Sequence, residues 1–356
     1  MFNNNLTNLL KIDFPIIQAP MAGGITTSEL VANVSNNGAL GTIGAGYMSP
    51  NQLREQIREV KKLTSTNFGV NLFVPGKFEI LENEVEVAKN LLDQYREVLN
   101  INEENITLPN MENAFHTYKE QIQVVIEEKV PVCSFTFGIP TAEEMKQLKQ
   151  HNVTTIGTAT TVEEAILIEK IGMDIVVVQG SESGGHRGTF LRGNEESLIG
   201  LMSLIPQVAD RVSIPIIAAG GIMDGRGLMA ALSLGAQAVQ MGTAFLTCEE
   251  SGAHPLHKDA IMQSKDGDTT LTRTFSGKWA RGIKNKFISE MKEHENSLPN
   301  FPIQNALTQS IRKASASQNI KDYMSLWSGQ SGTLARIETV EQLVQRIMDE
   351  ARKING

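Results

Sequence analysis

Short apolar runs recur along the chain: Pro15–Ala19, Ala39–Ile43, Phe68–Phe73, Val130–Phe137, Thr154–Thr158, Asp174–Gln179, Ile214–Ala219 and Ala238–Gly242. They are nearly continuous in hydrophobicity rather than alternating, as expected of parallel strands covered on both faces. Amphipathic helical patterns lie between most of them. Thr27–Asn36 opens on a Thr-Ser cap and stops at Asn37-Gly38. Asn51–Leu63 follows Ser49-Pro50 and places Leu53, Ile57 and Val60 on one face. Thr141–Gln150 and Thr161–Ile171 open with Thr-x-x-Glu capping boxes, and Asp224–Leu234 closes at Gly235. Strand–helix alternation repeated eight times predicts an α/β fold, a (β/α)8 TIM barrel.

Two stretches break the rhythm. Pro75–Lys129 is longer than one crossover helix needs and predicts two or more inserted helices. Thr247–Pro302 shows little periodicity and predicts a small, mainly helical appendage able to cover one end of the barrel. The expected organisation is a barrel over residues 1–246 with its insertion near 75–129, a substrate-side helical domain over 247–320, and a segment 321–356 that returns to the barrel. That last segment carries an amphipathic pattern, Thr339–Lys353, with Val340, Leu343, Val344 and Ile347 on one face.

Composition narrows the function classes. Of 356 residues, 41% are hydrophobic and 20% charged, which suits a soluble globular chain with a large core. A net charge of -8 argues against nucleic acid or an anionic membrane surface as partner, since both attract clustered Lys and Arg. No apolar stretch approaches the roughly 18 residues that span a bilayer. Met1–Leu10 is polar and Asn-rich and does not read as a signal peptide. Cys133 and Cys248 form no disulfide framework, and with them a cytoplasmic location is expected.

In a barrel of this kind the chemistry sits at the carboxyl ends of the strands. The segments there are Ala19-Pro20-Met21-Ala22-Gly23-Gly24, Gly44-Ala45-Gly46, Asn71, Phe137-Gly138, Gly157-Thr158, Gln179 to Gly188, Ala219-Gly220-Gly221 and Met241-Gly242-Thr243. They are rich in Gly and poor in charge, a surface suited to a flat aromatic cofactor. The glycines after the seventh and eighth runs either permit tight turns or present amides to a phosphate. Both fall where barrels bind phosphate, which favours the second reading. His186 stands alone among glycines at the barrel mouth, where a core histidine would not sit, and is the candidate catalytic group. Arg187 could pair with a phosphate or with Glu182. His254 and His257 lack a third ligand and are not taken as a metal site. Cys133 reads as a buried strand residue. Ser276–Arg281 reads as a lid over the site or as a solvated loop.

Taken together, Ala19–Gly24, Gly69–Leu72, Phe135–Pro140, Gln179–Gly188, Ala218–Ile222 and Gln240–Thr243 resemble the motifs of nitronate monooxygenases, formerly called 2-nitropropane dioxygenases. The resemblance extends through Ser276–Gly282 and Trp327–Gln330. It implies non-covalent FMN near Ala19, Met21, Ala22, Gly23, Asn71, Gln179, Gly184, Gly185, Ala219, Gly220, Gly221, Gln240, Met241, Gly242 and Thr243. It implies oxidation of an alkyl nitronate, such as propionate 3-nitronate, by O₂ to a carbonyl compound and a nitrite-type product, with His186 acting on the substrate. No further partner is implied beyond the nitronate and O₂, and a homodimer stays open. The stretch Leu298–Asn305 carries Phe301 and no Tyr where that family places Tyr, which touches substrate preference. A related FMN barrel, the enoyl-acyl-carrier-protein reductase, is the alternative, since it shares Leu9–Ile16 and Gly184-Gly185-His186. A flavin-binding protein without turnover is the second.

Overall fold

The computed structural model describes residues 2–102, 106–193 and 195–356; the part of the predicted insertion at 103–105 lies outside them. Among the described residues eleven strands occur in chain order: β1 Ile16–Gln18, β2 Thr42–Gly44, β3 Gly69–Phe73, β4 Val132–Thr136, β5 Thr154–Ala159, β6 Ile175–Gln179, β7 Gly185–His186, β8 Ile216–Ala219, β9 Ala238–Met241, β10 Thr269–Thr272 and β11 Ala280–Ile283. Eight of them pair in parallel in the order β1-β9-β8-β6-β5-β4-β3-β2. A parallel bridge between Ile17 and Leu40 joins the two ends. There Leu40 N donates to Ile16 O (3.0 Å) and Gln18 N to Leu40 O (2.9 Å), so the sheet closes into the expected TIM barrel.

The predicted crossover helices form, and their capping chemistry is visible. Thr141 accepts from Glu144 N while the Glu144 side chain accepts from Thr141 N. Ser49 and Gln52 do the same at Pro50–Leu63. Two helices were not legible in the apolar pattern. Leu201–Ala209 contains Pro206, which interrupts a helical reading. Asn5–Leu10 uses the N-terminal asparagines as a cap: Asn4 accepts from Leu6 N and Thr7 N. Its Leu6 and Leu10 are fully buried against Ile17, Val132, Ile156, Ile175 and Ile217, where they plug the amino-terminal end of the barrel.

Past β9 the chain departs from the sequence expectation. Thr247–Pro302 is not helical throughout, because β10 and β11 form an antiparallel pair that recruits β7 as a third strand. Neither strand shows a long apolar run, which is why the pattern hid them. The two irregular stretches also pack on each other. Val85, Ala88, Leu92 and Tyr95 of helix Glu82–Val98 share one core with Phe275, Phe287, Met291, Ile303 and Ile311. The helix Val340–Asn355 packs against both Gly225–Ser233 and Ser28–Asn36 and so fills the eighth position of the outer ring. No helix among the described residues is long and apolar enough to cross a membrane.

Candidate active site

At the carboxyl ends of the strands lies a cavity of about 720 Å³, within the usual range for cofactor and ligand sites. His186 and all the cofactor residues that the resemblance implies line it except Met241. Strand alternation turns Gln240 inward and Met241 outward, where Met241 is buried in the layer between sheet and helices. A period-two reading of Ala238–Met241 would have separated the two.

The floor shows which groups are spent and which are free. Asn71 Nδ2 donates to Ser134 Oγ (2.9 Å) and Thr136 Oγ1 (3.1 Å), leaving its oxygen as an acceptor. Among the described residues, the Gln240 carboxamide has no hydrogen-bond partner although it faces the cavity. The backbone amides of Gly220, Gly221, Gly242 and Thr243 also donate to nothing among them. Gly220 and Gly221 have φ of 127° and 68°, a conformation that side chains resist. A Cβ at Gly184 would lie 2.5 Å from Gly329 N, so only glycine admits that backbone approach. Unpaired amides around one end and free carboxamide groups at the floor match a flat heteroaromatic ring with a phosphate tail.

The loop after β6 is held rigidly. Gln179 Nε2 donates to His186 O (3.0 Å) and its Oε1 accepts from Gly188 N (2.8 Å). Arg187 takes neither of its expected partners. It is fully buried, and its guanidinium donates to the carbonyls of Gly180 (2.5 Å), Gln179 (3.2 Å) and Ser197 (2.7 Å), so it clamps the loop from behind. Glu164 anchors the far side, where its carboxylate accepts from the amides of Thr160, Phe190 and Leu191 (2.6, 2.7 and 3.0 Å).

His186 stands in an aromatic chamber. Its ring lies 5.4 Å from Trp327, 5.9 Å from Phe137 and 6.2 Å from Phe301, centroid to centroid. Burial, with the Lys278 and Arg312 charges, lowers its pKa to about 3, so the imidazole is neutral. Its Nε2 is 2.8 Å from Ser276 Oγ. That hydroxyl donates its one proton to Lys278 O (3.0 Å), so it accepts from the ring. Nε2 therefore carries the proton and Nδ1 the lone pair. Lys278 Nζ donates to Thr189 O (3.2 Å) and sits 4.7 Å over the Phe137 ring. Burial lowers its pKa to about 8. Ser276 lines the cavity and Trp279 O accepts from Arg187 N (2.8 Å), so Ser276–Arg281 is a built wall and not a solvated loop.

Several lining residues escaped the sequence reading. Tyr47, Arg312 and Ser331 come from loops and from the appended segment, and only tertiary packing brings them here, whereas Phe73 and Thr136 are the last residues of β3 and β4. His257, set aside as a metal ligand, is a buried lining residue whose Nε2 is 2.9 Å from Trp327 O, and burial lowers its pKa to about 4. No cluster able to hold a metal occurs among the described residues.

The family model for nitronate monooxygenase matches residues 3–350. The chain belongs to the nitronate monooxygenase family. A probable nitronate monooxygenase of Staphylococcus haemolyticus (strain JCSC1435) is 53% identical over 99% of this chain and 98% of its own. Among solved structures, nitroalkane oxidase from Streptomyces ansochromogenes superposes with a TM-score of 0.90 at 38% identity, covering 98% of both chains. FabK from Thermotoga maritima gives 0.79 at 31% identity, over 100% of this chain and 98% of that one. Nitronate monooxygenases are flavin-dependent oxidoreductases that act on nitronates, and the free amides and carboxamides at this barrel mouth fit a flavin.

Proposed function

We propose that this chain binds FMN at the barrel mouth and oxidises alkyl nitronates, propionate 3-nitronate among them, with O₂ to a carbonyl compound and a nitrite-type product. The observation that carries the reading is the charge pattern of the cavity: among the described residues no Asp or Glu lines it, while Arg312 and Lys313 do and His186 is neutral. Such a chamber accepts an anion and repels none.

The amides of Gly220, Gly221, Gly242 and Thr243 would hold the phosphate, and Asn71 and Gln240 the polar edge of the ring. When bound, FMN supplies the redox chemistry between the nitronate and O₂. The chain supplies the rest. Where the substrate arrives as a neutral nitroalkane, His186 presents Nδ1 to take its α-proton, and Ser276 fixes which nitrogen that is. Phe137, Phe301 and Trp327 exclude water around it. The reductase alternative is not favoured, since FabK is the more distant structure in both identity and superposition.

Propionate 3-nitronate and NADH are added separately to yellow, oxygen-free protein. Bleaching by the nitronate is expected. Bleaching by NADH alone would overturn the proposal, and a protein that takes up no FMN would refute the cofactor assignment.

A further inference from the structure

Arg187 is the buried charge that the flavin and the proton chemistry leave unexplained. It directly follows His186 of β7, and strand alternation turns the two side chains to opposite sides. The imidazole lines the cavity, while the guanidinium enters the wall behind it and is fully buried. A buried cation is ordinarily paired with a carboxylate. Among the described residues Arg187 forms no ion pair, and Glu164 and Glu182 act on it only as nearby charges. Burial, with the charge of Arg281, lowers its pKa to about 10, which leaves it charged at neutral pH. Backbone takes the place of the carboxylate: the carbonyls of Gln179, Gly180 and Ser197 converge on the guanidinium. Arg281 Nε takes the next carbonyl of the loop, that of Ser181 (3.1 Å). Convergent carbonyl oxygens repel one another unless a cation stands between them, so this loop shape needs its cation.

The contacts close into a bracket around His186. The Gln179 carboxamide bonds His186 O and Gly188 N, gripping the chain on both sides of Arg187. The Arg187 guanidinium grips the Gln179 backbone in return. Any shift of the Gln179–Gly180 carbonyls is thus passed to His186 through the Gln179 side chain.

We propose that Arg187 is a positioning residue for His186: its charge, shared among three carbonyls, fixes the loop that holds Nδ1 toward the α-proton of a neutral nitroalkane, and the emptied position accepts a free guanidinium ion. The choice of substrate rests on the functional reading above; the positioning does not. Arg187→Ala is expected to lower kcat on a neutral nitroalkane about 100-fold, the scale of a misplacement of about 1 Å. KM should change little, since the aromatic chamber stays intact. Millimolar guanidinium, far below denaturing concentrations, should return most of the loss. Tetramethylammonium, a cation without donors, should not. The rescue should vanish in Arg187→Ala/His186→Asn, because a clamp that only stabilised the fold would respond to guanidinium with or without the imidazole. NMR of histidine-labelled, flavin-loaded protein gives a measurement without turnover. The His186 ring resonance, assigned by its loss in His186→Asn, should shift in Arg187→Ala and return with guanidinium. An unchanged kcat, equal rescue by tetramethylammonium, or a resonance that does not move would each overturn the proposal. If Arg187→Ala does not fold, Arg187→Lys decides, since it keeps the charge without the forked geometry: a lowered kcat and a shifted resonance are expected, and wild-type values would overturn the proposal. If wild-type protein oxidises no neutral nitroalkane, the functional reading fails, and the resonance still decides the positioning.

Discussion

Replacing Ser276 with alanine isolates what the second layer does for His186. In the wild type the hydroxyl accepts the Nε2 proton over 2.8 Å and donates to Lys278 O over 3.0 Å. Ser276→Ala removes that acceptor and adds no new group to the cavity. A donor left without a partner in a buried site costs about 1–3 kcal/mol. If the ring is held productively by this bond, the same energy appears in the barrier, a fall of about 5- to 150-fold in kcat/KM. Flavin content should not change, since Ser276 lies at the His186 end. The assay is a double-mutant cycle with His186→Asn under air-saturated turnover of a neutral nitroalkane. Ser276 acting through the imidazole predicts that the double variant is no slower than His186→Asn alone. Additive losses, or a single Ser276→Ala variant with unchanged kcat/KM, would refute the tautomer argument.

Three further outcomes follow from the same geometry. His186→Asn should retain flavin and lose about 10²- to 10⁴-fold in turnover of neutral nitroalkanes, as for a positioned acid–base group; normal rates would remove the imidazole from the mechanism. His257 is depressed from 6.5 to about 4, so the unfolded chain binds a proton that the folded one refuses. Its contribution is present above pH 6.5 and is lost as pH falls toward 4, by on the order of 3 kcal/mol; urea midpoints of His257→Gln should therefore fall less over that window than those of wild type, and parallel curves would contradict it. Leu6→Ala should cost about 2–5 kcal/mol by opening a cavity in the barrel plug, measured by thermal unfolding, with flavin spectra unchanged because the plug is at the opposite end from the site.

What could be read in advance follows from the range of the forces involved. Barrel strands are local: continuous apolar runs bounded by Gly mark them wherever they occur, and the structure places β1 to β6, β8 and β9 within those runs, give or take a residue or so. Residues directly after them inherit their position from the barrel rule, so Asn71, Gln179 and Gly221 needed no tertiary information. The antiparallel pair β10 and β11 differs, because it is stable only against β7 and leaves no periodic trace. Arg187 was misjudged because charge suggested an ionic partner, whereas the structure gives it three carbonyls. Trp327 and Arg312 reach the site over long sequence distances, through the shared core of the insertion and the appended segment.

The placement of Val340–Asn355 in the outer ring also bears on how the molecule is made. Synthesis runs from the amino-terminal side, and this helix covers the barrel wall between Gly225–Ser233 and Ser28–Asn36. A nascent chain that has emerged through residue 339 holds every residue named in the active site but leaves one apolar stave of the cask bare. Val340, Leu343, Val344 and Ile347, all buried in the finished protein, are its cover. The catalytic end is therefore complete in residues before the wall is sealed. In the interval between the two, the apolar surface that these four residues cover is open to solvent.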